Sequence, residues 1–312
     1  MNGAIPSPGF RHIAVLPGLD LRADTYGALR ALSAAPLAEP GTWPGARLPE
    51  SVDAVIGGWH HDLGATELAA LPALRYIGLR STSSRRVDHA AARARGITVT
   101  TIDRYADNAT AEFVLAAMLT HLQRDTGAGL AGELRGRTLG LIGLGHVGRR
   151  VATAASGLGM TVRYHHSRGP VADPGPCAYA CADELLGGSD VVSIHTPAGR
   201  AVVDGAGLRT AAAADTLLVV TTIGVPFPFA EFAAVWPTGR AHAVFDLVAA
   251  AGRRPELEAL PRCRVIARYA GRTREAVAAG DRQLLDAVRG HLRTAAVQPR
   301  SGDLRTEVLE HP

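Results

Sequence analysis

The segment that most constrains this chain is residues 137–168, RTLGLIGLGHVGRRVATAASGLGMTVRYHHSR. An apolar run from Thr138 to Ile142 enters Gly143-x-Gly145-x-x-Gly148, a helical stretch follows, and a second apolar run spans Thr161 to His165. Strand, glycine turn, helix and strand within about thirty residues is the arrangement that wraps a dinucleotide diphosphate. Gly143 permits the tight turn, Gly145 lets backbone approach the diphosphate, and Gly148 lets helix and strand pack closely. His146 and Val147 fall at the helix start, where unpaired N–H groups and a partial positive charge favour phosphate.

The residues some twenty positions beyond the turn decide which dinucleotide is accepted. A site for NAD offers Asp or Glu there to the ribose 2′-hydroxyl. Between Arg149 and Ala172 this chain has no acid, and the second run ends in Tyr164-His165-His166-Ser167-Arg168. Ser167 can donate to a 2′-phosphate and Arg168 can form a charge-assisted fork with it, with His166 beside them. The reading is therefore NADP(H); in the alternative, Arg168 is a solvated loop residue and NAD binds without its usual acid.

Beyond this segment, short apolar runs alternate with helical stretches. The N-terminal series places strands at 12–16, 53–57, 76–79 and 97–100, and residues 108–124 read as a long helix. A connector is expected at 125–132. A second series runs at 138–142, 161–165, 190–195, 216–222, 241–246 and 263–267, six strands in all. An amphipathic helix over 274–292 follows, then a loose polar arm from Thr294. This alternation predicts α/β architecture with parallel sheets.

Composition narrows the function classes. With 312 residues, 47% apolar and 20% charged, the chain is long enough for two domains and too apolar for disorder. All 33 basic residues are arginine, scattered among 29 acids for a net charge of +4, with no run longer than a pair. That pattern argues against nucleic acid. No stretch of 18 apolar residues suggests a membrane span, and no leader-like N-terminus precedes the first strand, so a cytoplasmic protein is expected. Cys177, Cys181 and Cys263 read as reduced packing residues, and no metal site is expected.

At this point the chain resembles the D-isomer-specific 2-hydroxyacid dehydrogenase family. Besides the glycine motif, VDHAAARARGITVT (87–100), Ala111-Glu112, SDVVSIHTP (189–197) and AGRTREA (270–276) occur in the family's order. The resemblance implies a Rossmann doubly wound sheet inserted in a flavodoxin-like substrate domain, and usually a homodimer. The expected boundaries are 1–104 plus 277–312 for the substrate domain and 105–276 for the Rossmann domain. The chemistry implied is hydride transfer between a nicotinamide and the α-carbon of a 2-keto or 2-hydroxy acid. Asp246 and Thr222 match positions near the nicotinamide. His195, Thr196 and Pro197, at the end of the third strand, are counted among the cofactor-binding residues, with a structural histidine as the other reading of His195.

Three expected catalytic groups are replaced. Ile223 stands where the family has Arg, Ala251 where it has Glu, and Arg268 where it has His. Glu256 is the nearest acid beyond Ala251, behind Arg253-Arg254-Pro255. Arg268 cannot donate a proton at neutral pH but can hold an anion. Replacement acids are sought in His60 or His61, which follow the second strand, and then in Tyr105. The family's glycine-rich substrate loop here carries Ser81, Ser83, Ser84 and Arg85, which adds hydroxyls and positive charge where an anionic substrate would sit. The function expected is an NADP(H)-dependent oxidoreductase with an altered site, reducing a small anionic carbonyl, imine or activated alkene. The alternative is a catalytically silenced NADP(H)-binding regulator or scaffold.

Overall fold

The computed structural model describes residues 9–45, 47–123 and 130–297. The chain divides into two compact units, one formed up to Tyr105 and again from Val277, the other spanning Ala106–Ala276.

In the first unit, β1 (Ile13–Val15), β2 (Ala54–Gly57), β3 (Tyr76–Leu79) and β4 (Thr98–Thr101) form a parallel sheet in that order. The free edge of β1 is also paired, by bridges Phe10↔Ser33 and Ala14↔Ala38. Pro36 lies between the two bridges and has no N–H to give the ladder, so the segment pairs at two points rather than as a strand. Counted as a strand, it gives the order 2-1-3-4-5, the flavodoxin-like doubly wound arrangement. The sequence reading has no element there.

Alternation along each strand divides the core between two faces. Ala14, Leu16, Val55, Ile77 and Leu79 pack with Leu63, Leu68, Ala92 and Ile97 on one side. Ile13, Val15, Ala54, Ile56 and Tyr76 pack with Leu29, Leu284, Val288 and Leu292 on the other. The final helix, Arg274–Val297, thus belongs to this unit and is longer than the sequence pattern indicates. Thr294 lies within it, not in an arm; the remainder of the expected arm, residues 298–312, lies outside the described residues, as does most of the expected connector.

The second unit contains β5 (Thr138–Ile142), β6 (Thr161–His165), β7 (Cys177–Tyr179), β8 (Val191–Ile194), β9 (Leu217–Val220), β10 (His242–Phe245) and β11 (Cys263–Val265). They form one parallel sheet, ordered β11-β10-β9-β8-β5-β6-β7. Renumbered within the unit this is 7-6-5-4-1-2-3, the Rossmann order with one added strand, and the winding reverses between β5 and β8. The sequence reading missed β7, because a three-residue edge strand with one buried side chain has no periodic signal. Cys181 corrects another expectation. It is exposed and caps the helix Ala182–Gly188, its Sγ accepting from the Glu184 amide.

Candidate functional site

The reversal of winding between β5 and β8 opens a crevice at the strands' carboxyl ends, where ligands of doubly wound sheets bind. The glycine turn occupies that point. The Gly143 amide donates to the His165 carbonyl at the end of β6 (2.9 Å), and the His195 amide donates to the Ile142 carbonyl (2.8 Å).

The three glycines have different physical reasons. Gly143 has φ +98°, and a Cβ there would lie 2.3 Å from the His195 carbonyl oxygen. A Cβ on Gly148 would lie 2.5 Å from the Gly143 oxygen, so this glycine lets the helix His146–Gly157 approach the turn. Gly145 is different. It is the N-cap in ordinary extended backbone, exposed, and a Cβ there would meet no protein atom within 4 Å. Packing within the protein does not require glycine at 145.

Beside the turn, His195 Nε2 and Thr196 Oγ1 are enclosed without a hydrogen-bond partner among the described residues. Burial lowers the His195 pKa to about 4, so the ring is neutral at physiological pH. Buried polar atoms left unpaired cost about 1–3 kcal/mol each, which a ligand reaching them recovers. His146 and Pro197 are exposed and Val147 half-buried at the same turn. Open backbone at Gly145, a free helix start and two unpaired polar atoms together fit a dinucleotide diphosphate.

At the end of β6, Ser167 and Arg168 are exposed, and His166 Nδ1 accepts from the Arg168 amide at 3.2 Å. Among the described residues no carboxylate pairs with Arg168.

The loops after β9, β10 and β11 are laced by backbone bonds, Gly224 N–H to the Val248 carbonyl (3.2 Å) and Leu247 N–H to the Arg268 carbonyl (3.1 Å). Asp246 is 1% exposed, its oxygens accepting from the Ala249 and Ala270 amides at 2.8 Å each, while burial raises its pKa. Its visible task is to brace the two loops. Thr222, buried nearby, donates to the Gly224 carbonyl. Arg268 is exposed and carries its guanidinium 5.3 Å from the centre of the buried Phe113 ring, with no carboxylate partner among the described residues. Ile223 and Ala251 are exposed, and Glu256 pairs with Arg253 at 3.2 Å.

In the first unit, the loops supply a narrower set of groups than the sequence offers. His61 is 3% exposed; the Gly58 amide donates to its Nδ1 (2.9 Å), which leaves the proton on Nε2, facing the Pro17 carbonyl at 2.8 Å. Burial, then the neighbouring His60, lowers its pKa to about 4. With both nitrogens engaged and the ring neutral, His61 is corrected from candidate acid to loop brace. Tyr105 packs against Gly280 and lies beneath the Arg80 guanidinium, and burial raises its pKa; it too is a packing residue. His60 remains exposed.

The loop after β3 is largely self-bonded. Buried Ser81 accepts from the Ser83 amide through Oγ (2.9 Å), Ser83 Oγ accepts from the Arg85 amide (3.4 Å), and Ser84 Oγ bonds His89 Nε2 (2.9 Å). Arg80, which the sequence reading counts only among the added arginines of this loop, is nearly buried and pairs with Asp281 at 2.7 Å. Asp281 also accepts from the Arg22 amide (2.9 Å) and the Thr25 hydroxyl (2.8 Å). No sequence signal could have found this cluster, because its members lie about 200 or more positions from Asp281.

Residues 116–204 match the model of the D-isomer specific 2-hydroxyacid dehydrogenase NAD-binding domain. Within its nucleotide-binding unit, the chain is therefore similar to that family's NAD-binding domain. Two relatives are a hydroxypyruvate reductase of Blautia hydrogenotrophica, 30% identical over 146 residues, and a D-specific alpha-keto acid dehydrogenase of Enterococcus faecalis, 34% identical over 138 residues. Each match covers 40% of this chain and spans only 45% and 41% of the respective relative. Over the whole chain, the fold is that of a 2-hydroxyacid dehydrogenase from Ketogulonicigenium vulgare: TM-score 0.80, 20% identity, covering 92% of this chain and 96% of that one. No helix among the described residues is long and apolar enough to cross a membrane.

Proposed function

We propose that this chain is an NADP(H)-dependent oxidoreductase whose altered site reduces a small anionic carbonyl, imine or activated alkene. The observation that carries the reading is Gly145, a glycine that the surrounding protein leaves unexplained and a diphosphate explains. Gly145, His146 and Val147 would hold the diphosphate through the helix start, and His195 and Thr196 offer it unpaired polar atoms. His166, Ser167 and Arg168, without an acid, suit a 2′-phosphate. Bound there, the coenzyme supplies a hydride, and the reduction of one C=O, C=N or C=C bond also takes up one proton.

This chain's own residues orient the substrate and furnish that proton. Arg268, steadied over Phe113 and free of any carboxylate among the described residues, is an anion receptor. His60 is the remaining candidate proton donor, since His61 and Tyr105 are committed to packing and arginine stays charged. A C=N or C=C substrate relaxes the need for a hydroxyl-directed acid, which accords with Ile223 and Ala251 at the replaced positions.

Calorimetric titration of Arg168→Ala tests the coenzyme assignment. The Kd for NADPH should rise by at least about tenfold while that for NADH hardly moves; equal losses would overturn it. The exposed Ile223 and Ala251 also favour a second reading, a silenced NADP(H)-binding regulator. Tight NADPH binding with no oxidation of NADPH by 2-keto acids, imines or enones supports that reading, and turnover lost in Arg268→Ala supports the enzyme.

A further inference from the structure

At the carboxyl edge of the second unit's sheet, the adjoining loops after β9, β10 and β11 each carry a partly exposed apolar residue, the last of them next to Arg268 in the chain. Ile223 is 36% exposed and Tyr269 39% exposed, two of the few exposed large apolar side chains among the described residues, and Val248 is half-buried. The bonds Gly224–Val248 and Leu247–Arg268 set the three loops side by side, which spaces Gly224 and Arg268 about two strand separations, roughly 10 Å, apart. Exposed apolar groups scattered singly need no explanation, but these cluster at the one edge of a doubly wound sheet where ligands bind.

Thr222, Asp246 and the laced amides fix the backbone of these loops, on which Ile223 and Tyr269 each keep more than a third of their surface exposed. Next to them is a guanidinium fixed over an aromatic ring. A cation flanked by apolar surface matches an amphipathic anion: the charge meets Arg268, and the apolar part removes Ile223, Val248 and Tyr269 from water.

We infer that the substrate is a carboxylate bearing a bulky apolar group, aryl or branched alkyl, with Ile223 and Tyr269 as specificity-determining residues. The inference rests on the oxidoreductase reading above and names its substrate class. It is tested by binding rather than turnover: phenylpyruvate and glyoxylate are titrated calorimetrically into the full chain, with and without saturating NADP+, which cannot reduce them. Phenylpyruvate should bind at least about tenfold more tightly than glyoxylate, in line with the discrimination apolar surfaces provide. Ile223→Ser and Tyr269→Ser, both exposed substitutions whose melting temperatures report folding, should each reduce that preference several-fold. Arg268→Ala should weaken both acids alike. Equal affinity for the two acids, or a preference untouched by either serine variant, overturns the inference. Absence of any heat from NADP+ or NADPH would instead sink the coenzyme reading, while the acid titrations without coenzyme still decide this one.

Discussion

The glycine turn shows how one residue type can answer to different forces. At Gly143 and Gly148 the reason is internal: a positive φ and a Cβ 2.3 Å from a carbonyl oxygen in the first case, a Cβ 2.5 Å from one in the second. At Gly145 no protein atom stands in the way of a Cβ, and the proposed diphosphate would supply the reason. Gly143→Ala should therefore destabilise the protein by about 2 kcal/mol or more, from strain plus overlap, as read by urea unfolding. Gly145→Ala should leave the unfolding midpoint almost unchanged and weaken coenzyme binding instead. If both variants lose the same stability, the distinction drawn between them fails. The motif's presence was legible in the sequence; which glycine belongs to the protein and which to the ligand was not, since that depends on what stands within 4 Å.

Among the elements, the final helix is held to its own unit by more than its apolar stripe of Leu284, Val288 and Leu292. Asp281 gathers Arg80 from the loop after β3 and the Arg22–Thr25 turn from the start of the first helix. Arg80 and Asp281 are largely buried, so removing one partner leaves a charge without compensation. Asp281→Ala should cost about 3–5 kcal/mol in thermal or denaturant unfolding, whereas replacing the pair together, Arg80→Met with Asp281→Leu, should recover much of the loss. A double variant no better than the single one would show that the pair's role is not electrostatic. The sequence reading placed this helix and its apolar face but ended it early, and treated Arg80 as one more loop arginine. Periodicity reports a face toward a core; it cannot report a partner some 200 residues away.

Across the whole molecule, the chain leaves its first unit at Tyr105 and re-enters it at Val277, and each unit contains a histidine whose pKa burial lowers strongly, with His291 of the first unit lowered as well. His61 in the first and His195 in the second have pKa values lowered from 6.5 to about 4. The unfolded chain then binds protons that the folded units refuse. Stability from each histidine is complete above about pH 6.5 and is lost as pH falls toward 4. Thermal melts between pH 7 and pH 4 should show this loss, and His61→Asn should flatten the part that belongs to His61; an unaltered pH profile in that variant would contradict the assignment. The sequence by itself determined the α/β alternation, nearly every strand of both sheets and the glycine turn, because these depend on short-range periodicity and on residues adjacent in the chain. Only the tertiary structure decided that 33–38 completes the first sheet, that β7 completes the second, that His61 and Tyr105 are packing groups, and that Ile223, Arg268 and Tyr269 share one edge. Each of those depends on which distant atoms come within bonding distance, a quantity no local pattern of residues encodes.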